Sequence, residues 1–291
     1  MGMRSWLFVP GDSEKKLAKA PGTGADIVIV DLEDAVAPPA KAAARSLTAQ
    51  WVGDDANRSG GALWVRINPL DTDLWEDDLA AVLPAAPAGL VVPKATGPKQ
   101  LAGLCDRLDR LEAEHGLPAG STRLLPLVSE TAHAALTMAA YADPAARMDR
   151  LVGLTWGAED LSAAIGATRK RRSGGEWTDL FRMVRAQTLL TAHAAGLAAI
   201  DTLHADFRDE AGLRRMAEES YADGFSGMLA IHPAQVAIIN EAFCPSAEAV
   251  ARAQAIVDAF AANPGVGALQ IDGRMIDQPH LMQARRLLDS L

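Results

Sequence analysis

The sequence predicts an α/β fold: a (β/α)8 TIM barrel with a C-terminal hairpin-plus-helix extension. Three observations carry this. Eight short apolar runs alternate with Ala/Leu/Glu/Lys/Arg-rich stretches of helical periodicity, the pattern of a parallel sheet. Eight units argue for a closed barrel; a dinucleotide-binding open sheet would carry G-x-G-x-x-G after its first strand, where this chain reads Phe8-Val9-Pro10-Gly11-Asp12-Ser13. Polar residues also gather directly after the apolar runs, at the end where such barrels keep their active sites.

The strands are expected at residues 6–9, 27–31, 63–67, 89–92, 124–129, 151–156, 198–201 and 227–231. Helical patterns fall between them, at 41–51, 101–114 and 180–194 among others. The segment 161–166 reads as a short helix that Asp160 would cap. Arg169-Lys170-Arg171-Arg172-Ser173-Gly174-Gly175 is a basic, Gly-tipped loop, either solvated and mobile or a contact for a ligand phosphate. After the eighth unit come a helix at 246–262, a hairpin at 268–277 turning on Asp272-Gly273, and a last helix at 280–291. The expected division is a barrel over 1–245 and an extension over 246–291. The barrel does not need the extension to close, so a neighbouring subunit is the surface it is expected to pack on.

Composition narrows the function. With 49 % hydrophobic residues in 291, a large core forms without covalent staples. A length that suggests two domains also suits one α/β barrel of about 250 residues plus a tail. No apolar run approaches the roughly 18 residues of a membrane span, so no membrane partner is expected. A net charge of −9 argues against general nucleic-acid binding, which needs a basic surface. Cys105 and Cys244 form no C-x-x-C pattern, and the N-terminal residues read as no targeting leader; the expectation is a cytoplasmic protein with two free thiols.

Asp31, Glu33 and Asp34 follow the second run, and Lys94 the fourth. Glu130 follows the fifth, Glu159 and Asp160 the sixth, and His232 the eighth, while Asp201 ends the seventh. A single acid there is ordinarily a cap or a loop charge; the set marks a rim where the core stops. Neighbouring parallel strands lie about 4.8 Å apart, so Glu130 and Asp160 can reach one cation. Two carboxylates with open water positions suit Mg2+, and no His/Cys set favours zinc. Arg66 interrupts the apolar Leu63-Trp64-Val65-Arg66-Ile67 and needs a partner: Asp31 or Glu33, a substrate carboxylate, or both. His232, before Pro233, reads as a structural strand-end residue, and His133, His193 and His204 show no partner pattern.

Phe8-Val9-Pro10-Gly11-Asp12, Asp31-Leu32-Glu33-Asp34-Ala35-Val36, Val65-Arg66-Ile67-Asn68, Pro93-Lys94, Glu130-Thr131-Ala132, Gly157-Ala158-Glu159-Asp160-Leu161, Ile231-His232-Pro233 and Asp272-Gly273-Arg274-Met275-Ile276-Asp277 occur in that order. With these motifs the chain resembles the citrate lyase beta-subunit-like family of the HpcH/HpaI aldolase/citrate lyase superfamily, which includes malyl-CoA and citramalyl-CoA lyases. The resemblance implies a Mg2+ enzyme acting on 3-hydroxyacyl thioesters. It implies Glu130 and Asp160 as metal ligands, with Glu130 also beside the substrate, and Arg66 as a substrate-binding and catalytic arginine. It further implies Lys15 and Lys19 as contacts for the CoA portion near a helix N-terminus, and Asp277 as an acid supplied by the adjacent subunit of a trimer. Asp31, Glu33, Asp34 and Lys94 are then expected to orient Arg66, a metal-bound water or one another. His133-Ala134 after Glu-Thr-Ala and Ser162-Ala163-Ala164 after Glu-Asp-Leu depart from the family pattern and bear on the substrate.

The implied reaction splits a 3-hydroxyacyl-CoA into acetyl-CoA or a related acyl-CoA and a 2-oxo acid, or runs in reverse, in a homo-oligomer (trimer or hexamer). Other readings are a metal-dependent aldolase on a free hydroxy-oxo acid, a citrate lyase beta subunit acting on an acyl-carrier-protein thioester, and a thioesterase or synthase outcome.

Overall fold

A computed structural model describes residues 2–289. Its strands are β1 (Ser5–Pro10), β2 (Ile27–Asp31), β3 (Ala62–Arg66), β4 (Gly89–Val92), β5 (Arg123–Pro126), β6 (Gly153–Thr155), β7 (Ala198–Asp201) and β8 (Gly227–Ala230), followed by the hairpin β9 (Ala268–Ile271) and β10 (Arg274–Asp277). The helices are α1 (Glu14–Leu17), α2 (Lys41–Gly53), α3 (Leu74–Val82), α4 (Pro98–Glu114), α5 (Ala132–Thr137), α6 (Ala158–Ala164), α7 (Asp179–Ala194), α8 (Glu210–Asp223), α9 (Pro233–Ala242), α10 (Ala247–Ala262) and α11 (Gln278–Asp289). The last two residues of the helix expected at 280–291 lie outside the described residues.

β1 to β8 pair in parallel in the order β5-β4-β3-β2-β1-β8-β7-β6. The circle closes between β5 and β6 through isolated bridges, Leu124 to Leu151 and Leu127 to Thr155, so the barrel is nearly but not uniformly laddered. The expected strands at 124–129 and 151–156 are therefore too long: their apolar residues continue past the regular pairing.

Alternation along each strand sets the layers. Trp6, Ile27, Ile29, Trp64, Val91, Leu125, Leu127, Ile200 and Leu229 form the cluster inside the barrel, where Trp6 meets Trp64 edge-on at 5.0 Å. Leu7, Val28, Val30, Leu63, Val65 and Leu90 point the other way, into the larger cluster under the helices. Gly89 makes room for Trp64: a Cβ there would lie 2.6 Å from the indole. Two residues above Ile29 the inward position is Asp31, and two above Trp64 it is Arg66; register pairs these two directly. The apolar interior thus gives way to charge at one defined layer.

The opposite end of the β5–β6 seam is held by an ion cluster. Arg150 donates to Glu112 Oε1 at 2.8 Å and Oε2 at 2.6 Å and also pairs with Asp109, while the N–H groups of Thr122 and Gly120 donate to Glu112 at 2.8 Å. Burial alone would raise the Glu112 pKa, but Arg150 and those N–H groups outweigh it and hold the carboxyl at about 2. The folded-state pKa lies below the unfolded value of about 4.5, so this stability is present above pH 4.5 and lost as pH falls toward 2. It amounts to about 3 kcal/mol. Chemical denaturation at stepped pH should show that loss, and Glu112→Gln should lower stability at pH 7 and flatten the acid limb; an unchanged limb would contradict the assignment.

Contacts divide the chain after Phe243. The second unit, from Cys244 on, has its own small core of Ala253, Ile256, Phe260, Ile276, Leu281 and Ala284, built by α10, the antiparallel hairpin and α11. Asp272-Gly273 forms the turn with positive φ at both residues, as the hairpin pattern requires.

Candidate active site

The charged layer is a single network. Arg66 forks onto Asp31, Nε to Oδ1 at 2.8 Å and Nη2 to Oδ2 at 2.7 Å, and its Nη1 lies 2.9 Å from Glu33 Oε2. The Phe8 ring lies 4.7 Å beneath the guanidinium. Burial disfavours the Arg66 charge, but Asp31 and Glu33 outweigh it and raise the pKa. Glu33 is itself pushed up by burial, against the pull of Arg66 and Lys94. Both internal partners expected for Arg66, Asp31 and Glu33, are in place at once.

Lys94 ties this network to the β5–β6 seam. It adopts φ 51°, a left-handed conformation that is uncommon for lysine and typical of functional positions. That turn aims its backbone N–H at Glu130 Oε2, 2.5 Å away, while its Nζ hydrogen-bonds Glu33 Oε1 and lies 3.5 Å from Asp160 Oδ1 and 3.7 Å from Asp34 Oδ2. Glu130 is 3 % exposed. Burial first, and the Asp160 charge second, push its pKa up to about 8. The two carboxylates expected to share a site both reach Lys94, Glu130 through its backbone N–H and Asp160 3.5 Å from its Nζ, and the Asp160 charge is felt at Glu130. Gly157 makes room for the Glu130 carboxylate: a Cβ there would lie 2.8 Å from Glu130 Oε1.

Asp160 does not cap its helix. Gly157 occupies the N-cap of α6, and Asp160 sits in the first turn, so the acid stands over the seam with a favourable helix dipole. The donor set suits a hard divalent ion. The Asp160 charge disfavours ionisation of Glu130, and no group of three or more His, Cys, Asp or Glu side chains that could hold a metal occurs among the described residues. That leaves the open coordination positions Mg2+ prefers to fill with water and substrate oxygens.

Sequence reasoning missed the support behind the network. Lys41 Nζ donates to Leu32 O at 2.7 Å, Glu33 O at 2.8 Å and Asn68 Oδ1 at 2.7 Å, using all three protons. Asn68 in turn donates to Asp78 Oδ2 at 2.7 Å, and Asp78 accepts from Arg45 at 2.7 Å. The available signal was a lysine opening a helix, where the dipole disfavours cations unless carbonyls hold them.

Other expected residues are placed as follows. Lys15 and Lys19 are exposed, but α1 is a single turn and offers little dipole for an anion. Asp277 ends β10 in the C-terminal unit and contacts His280 Nδ1 at 2.5 Å. His232 caps α9 in a reciprocal capping box with Gln235. The basic loop is not simply a solvated segment: Lys170 pairs with Glu159, Arg172 with Asp179, and Arg171 stacks on Trp177.

A model of the HpcH/HpaI aldolase/citrate lyase family matches residues 4–233. A mitochondrial citramalyl-CoA lyase of Rattus norvegicus is 36 % identical over 98 % of this chain and 85 % of the rat protein. A (3S)-malyl-CoA thioesterase of Cereibacter sphaeroides is 34 % identical over 98 % of this chain and 93 % of that protein. The crystal structure of Mycobacterium tuberculosis CitE with magnesium, acetoacetate and coenzyme A superposes with a TM-score of 0.80 at 34 % identity, covering 99 % of this chain and 98 % of that one.

Proposed function

The chain belongs to the HpcH/HpaI aldolase/citrate lyase family, and from that premise we propose that it is a Mg2+-dependent carbon–carbon lyase of CoA thioesters. It cleaves a 3-hydroxyacyl-CoA to acetyl-CoA or a related acyl-CoA and a 2-oxo acid, or joins them in reverse. The observation that carries this reading is the buried Glu130 facing Asp160 beside a clamped Arg66.

Glu130 and Asp160 would hold the ion, which when bound supplies Lewis acidity to the oxygens of the oxo-acid half. Arg66 has five N–H groups; two donate to Asp31 while Glu33 Oε2 lies 2.9 Å away as an ion-pair partner, and the N–H groups not bound to Asp31 are the ones to clamp the substrate carboxylate. Because two carboxylates already fix the guanidinium, little entropy is lost when substrate arrives. Lys94 neutralises Glu33 and keeps Glu130 turned toward the seam. Lys15 and Lys19 offset CoA phosphates by charge alone. Asp277 of a neighbouring subunit protonates the thioester α-carbon after cleavage, or removes that proton in condensation. This makes the protein a homo-oligomer, a trimer or a multiple of one, and gives the C-terminal unit from Cys244 on its purpose. Cys105 and Cys244 form no disulfide with each other, in keeping with a reducing cytoplasm.

Incubation with Mg2+ and malyl-, methylmalyl-, citramalyl- and hydroxymethylglutaryl-CoA, read by mass, tests the function; intact substrates throughout would overturn it. Shared sites are tested by mixing Asp277→Ala with Asp160→Asn. Each alone should be inactive, and exchanged oligomers should regain a fraction of wild-type turnover. No recovery despite proven subunit exchange would count against sharing.

The pKa of Glu130 also sets a pH dependence. Below about pH 8 the ion-free carboxyl is protonated, and binding must displace that proton. Mg2+ affinity should rise by up to about tenfold per pH unit and level off above pH 8. Calorimetry at pH 7 in buffers of different ionisation heat should register the released proton; identical heats would contradict it.

A further inference from the structure

A cavity of about 460 Å³ lies between the basic loop, α7 and the start of α8, away from the carboxylates of the mouth, none of which lines it. Arg171 is the reason to look there. Among the desolvated arginines, Arg66 contacts Asp31 and Glu33, Arg150 contacts Glu112 and Asp109, and Arg185 contacts Asp201 and Asp223. Arg171 has no carboxylate in contact among the described residues. Its Nη1 donates to Gly175 O at 2.8 Å, its Nη2 faces the Met216 thioether at 3.0 Å, and its plane lies 3.6 Å over Trp177. A thioether is a weak acceptor, so Gly175 O is the one strong acceptor among these contacts, and the other N–H groups of this half-buried side chain are left to solvent or a ligand. The electrostatics follow the contacts: burial lowers the Arg171 pKa, whereas carboxylate contact raises those of the other three. Holding a half-buried guanidinium without a carboxylate counter-ion costs stability, and an anion in the cavity offsets that cost.

The surroundings indicate which anion. Arg182 and Arg215 stand on the same cavity as exposed cations, Arg182 only 3.8 Å from its nearest carboxylate oxygen on Asp179. The His204 Nε2 is sealed from solvent without a hydrogen bond, 3.3 Å from Asp209 Oδ2. The two other acids on the cavity, Glu176 and Glu219, are exposed and able to turn outward. Donors converging from several directions suit a tetrahedral oxyanion better than a planar carboxylate. We propose that this cavity is a phosphate-binding site, taking inorganic phosphate or the phosphate of a small phosphorylated metabolite, with Arg171 as its anchor.

The test is a titration of the full-length protein with inorganic phosphate, followed by tryptophan fluorescence, since Trp177 lies against Arg171, and by 31P line width. One phosphate should bind saturably per chain. Arg171→Met should weaken it at least about tenfold, and Arg215→Ala, on an exposed position that does not threaten folding, by a smaller factor. The Lys15→Ala/Lys19→Ala double variant should bind phosphate as the wild type does. No saturable binding, binding untouched by both arginine substitutions, or binding lost with the lysine pair would overturn the proposal. Competition by glycerol phosphate identifies the esterified form as the ligand; saturable phosphate binding without that competition identifies the free ion, and both outcomes support the site.

Discussion

Replacing Glu130 with glutamine should reduce Mg2+-dependent cleavage at least about a thousandfold, a loss of about 4 kcal/mol of transition-state stabilisation. The same change should leave thermal stability unaltered or raise it. Glu130 is buried against Asp160, and its ionised form is disfavoured by both burial and that charge, so the fold carries it at a cost. The amide needs no proton held against neutral pH, while keeping the shape and the acceptor for the Lys94 N–H. Steady-state kinetics and calorimetric melting on one preparation decide the matter. Full activity would remove Glu130 from the chemistry. Inactivity with a large fall in melting temperature would make it a structural residue.

Arg66→Lys should lower kcat/KM by about a hundredfold or more while the protein stays folded. Lysine keeps the charge that Asp31 and Glu33 need, so no buried acid is left uncompensated. It cannot keep the planar fork that grips both Asp31 oxygens, stays paired with Glu33 and still offers donors outward. Arg66→Met, by contrast, leaves buried Asp31 without its counter-ion and Glu33 with Lys94 alone, and should destabilise the barrel by about 3 kcal/mol. Kinetics of the lysine variant and denaturation of the methionine variant separate the two roles. Wild-type kcat/KM for Arg66→Lys would show that the clamp is dispensable.

Much of this architecture is legible in the chain because the physics is local. The runs around Ile27–Asp31 and Gly89–Val92 are apolar on both faces, which is what a strand between a filled barrel and its helices demands. Asp272-Gly273 specifies its own turn. The acids are legible as a set because each ends an apolar run. Legibility fails where a partner lies far off in sequence. Nothing near Lys41 announces Asn68, and nothing near Glu112 announces Arg150. It also fails where backbone, not residue type, does the aiming, as with the left-handed turn at Lys94. The over-long strands at the seam have the same origin: hydrophobicity marks burial, and at Leu127 and Trp156 burial continues after the ladder has stopped.

The central claim is that Glu130 and Asp160 together hold one divalent ion where β5 and β6 end. Titration with Mn2+, read by electron paramagnetic resonance and reversed by Mg2+, addresses it without turnover. Wild type should bind one ion per chain, and Glu130→Gln and Asp160→Asn should each weaken binding at least about tenfold. Wild-type affinity in either variant would contradict the account.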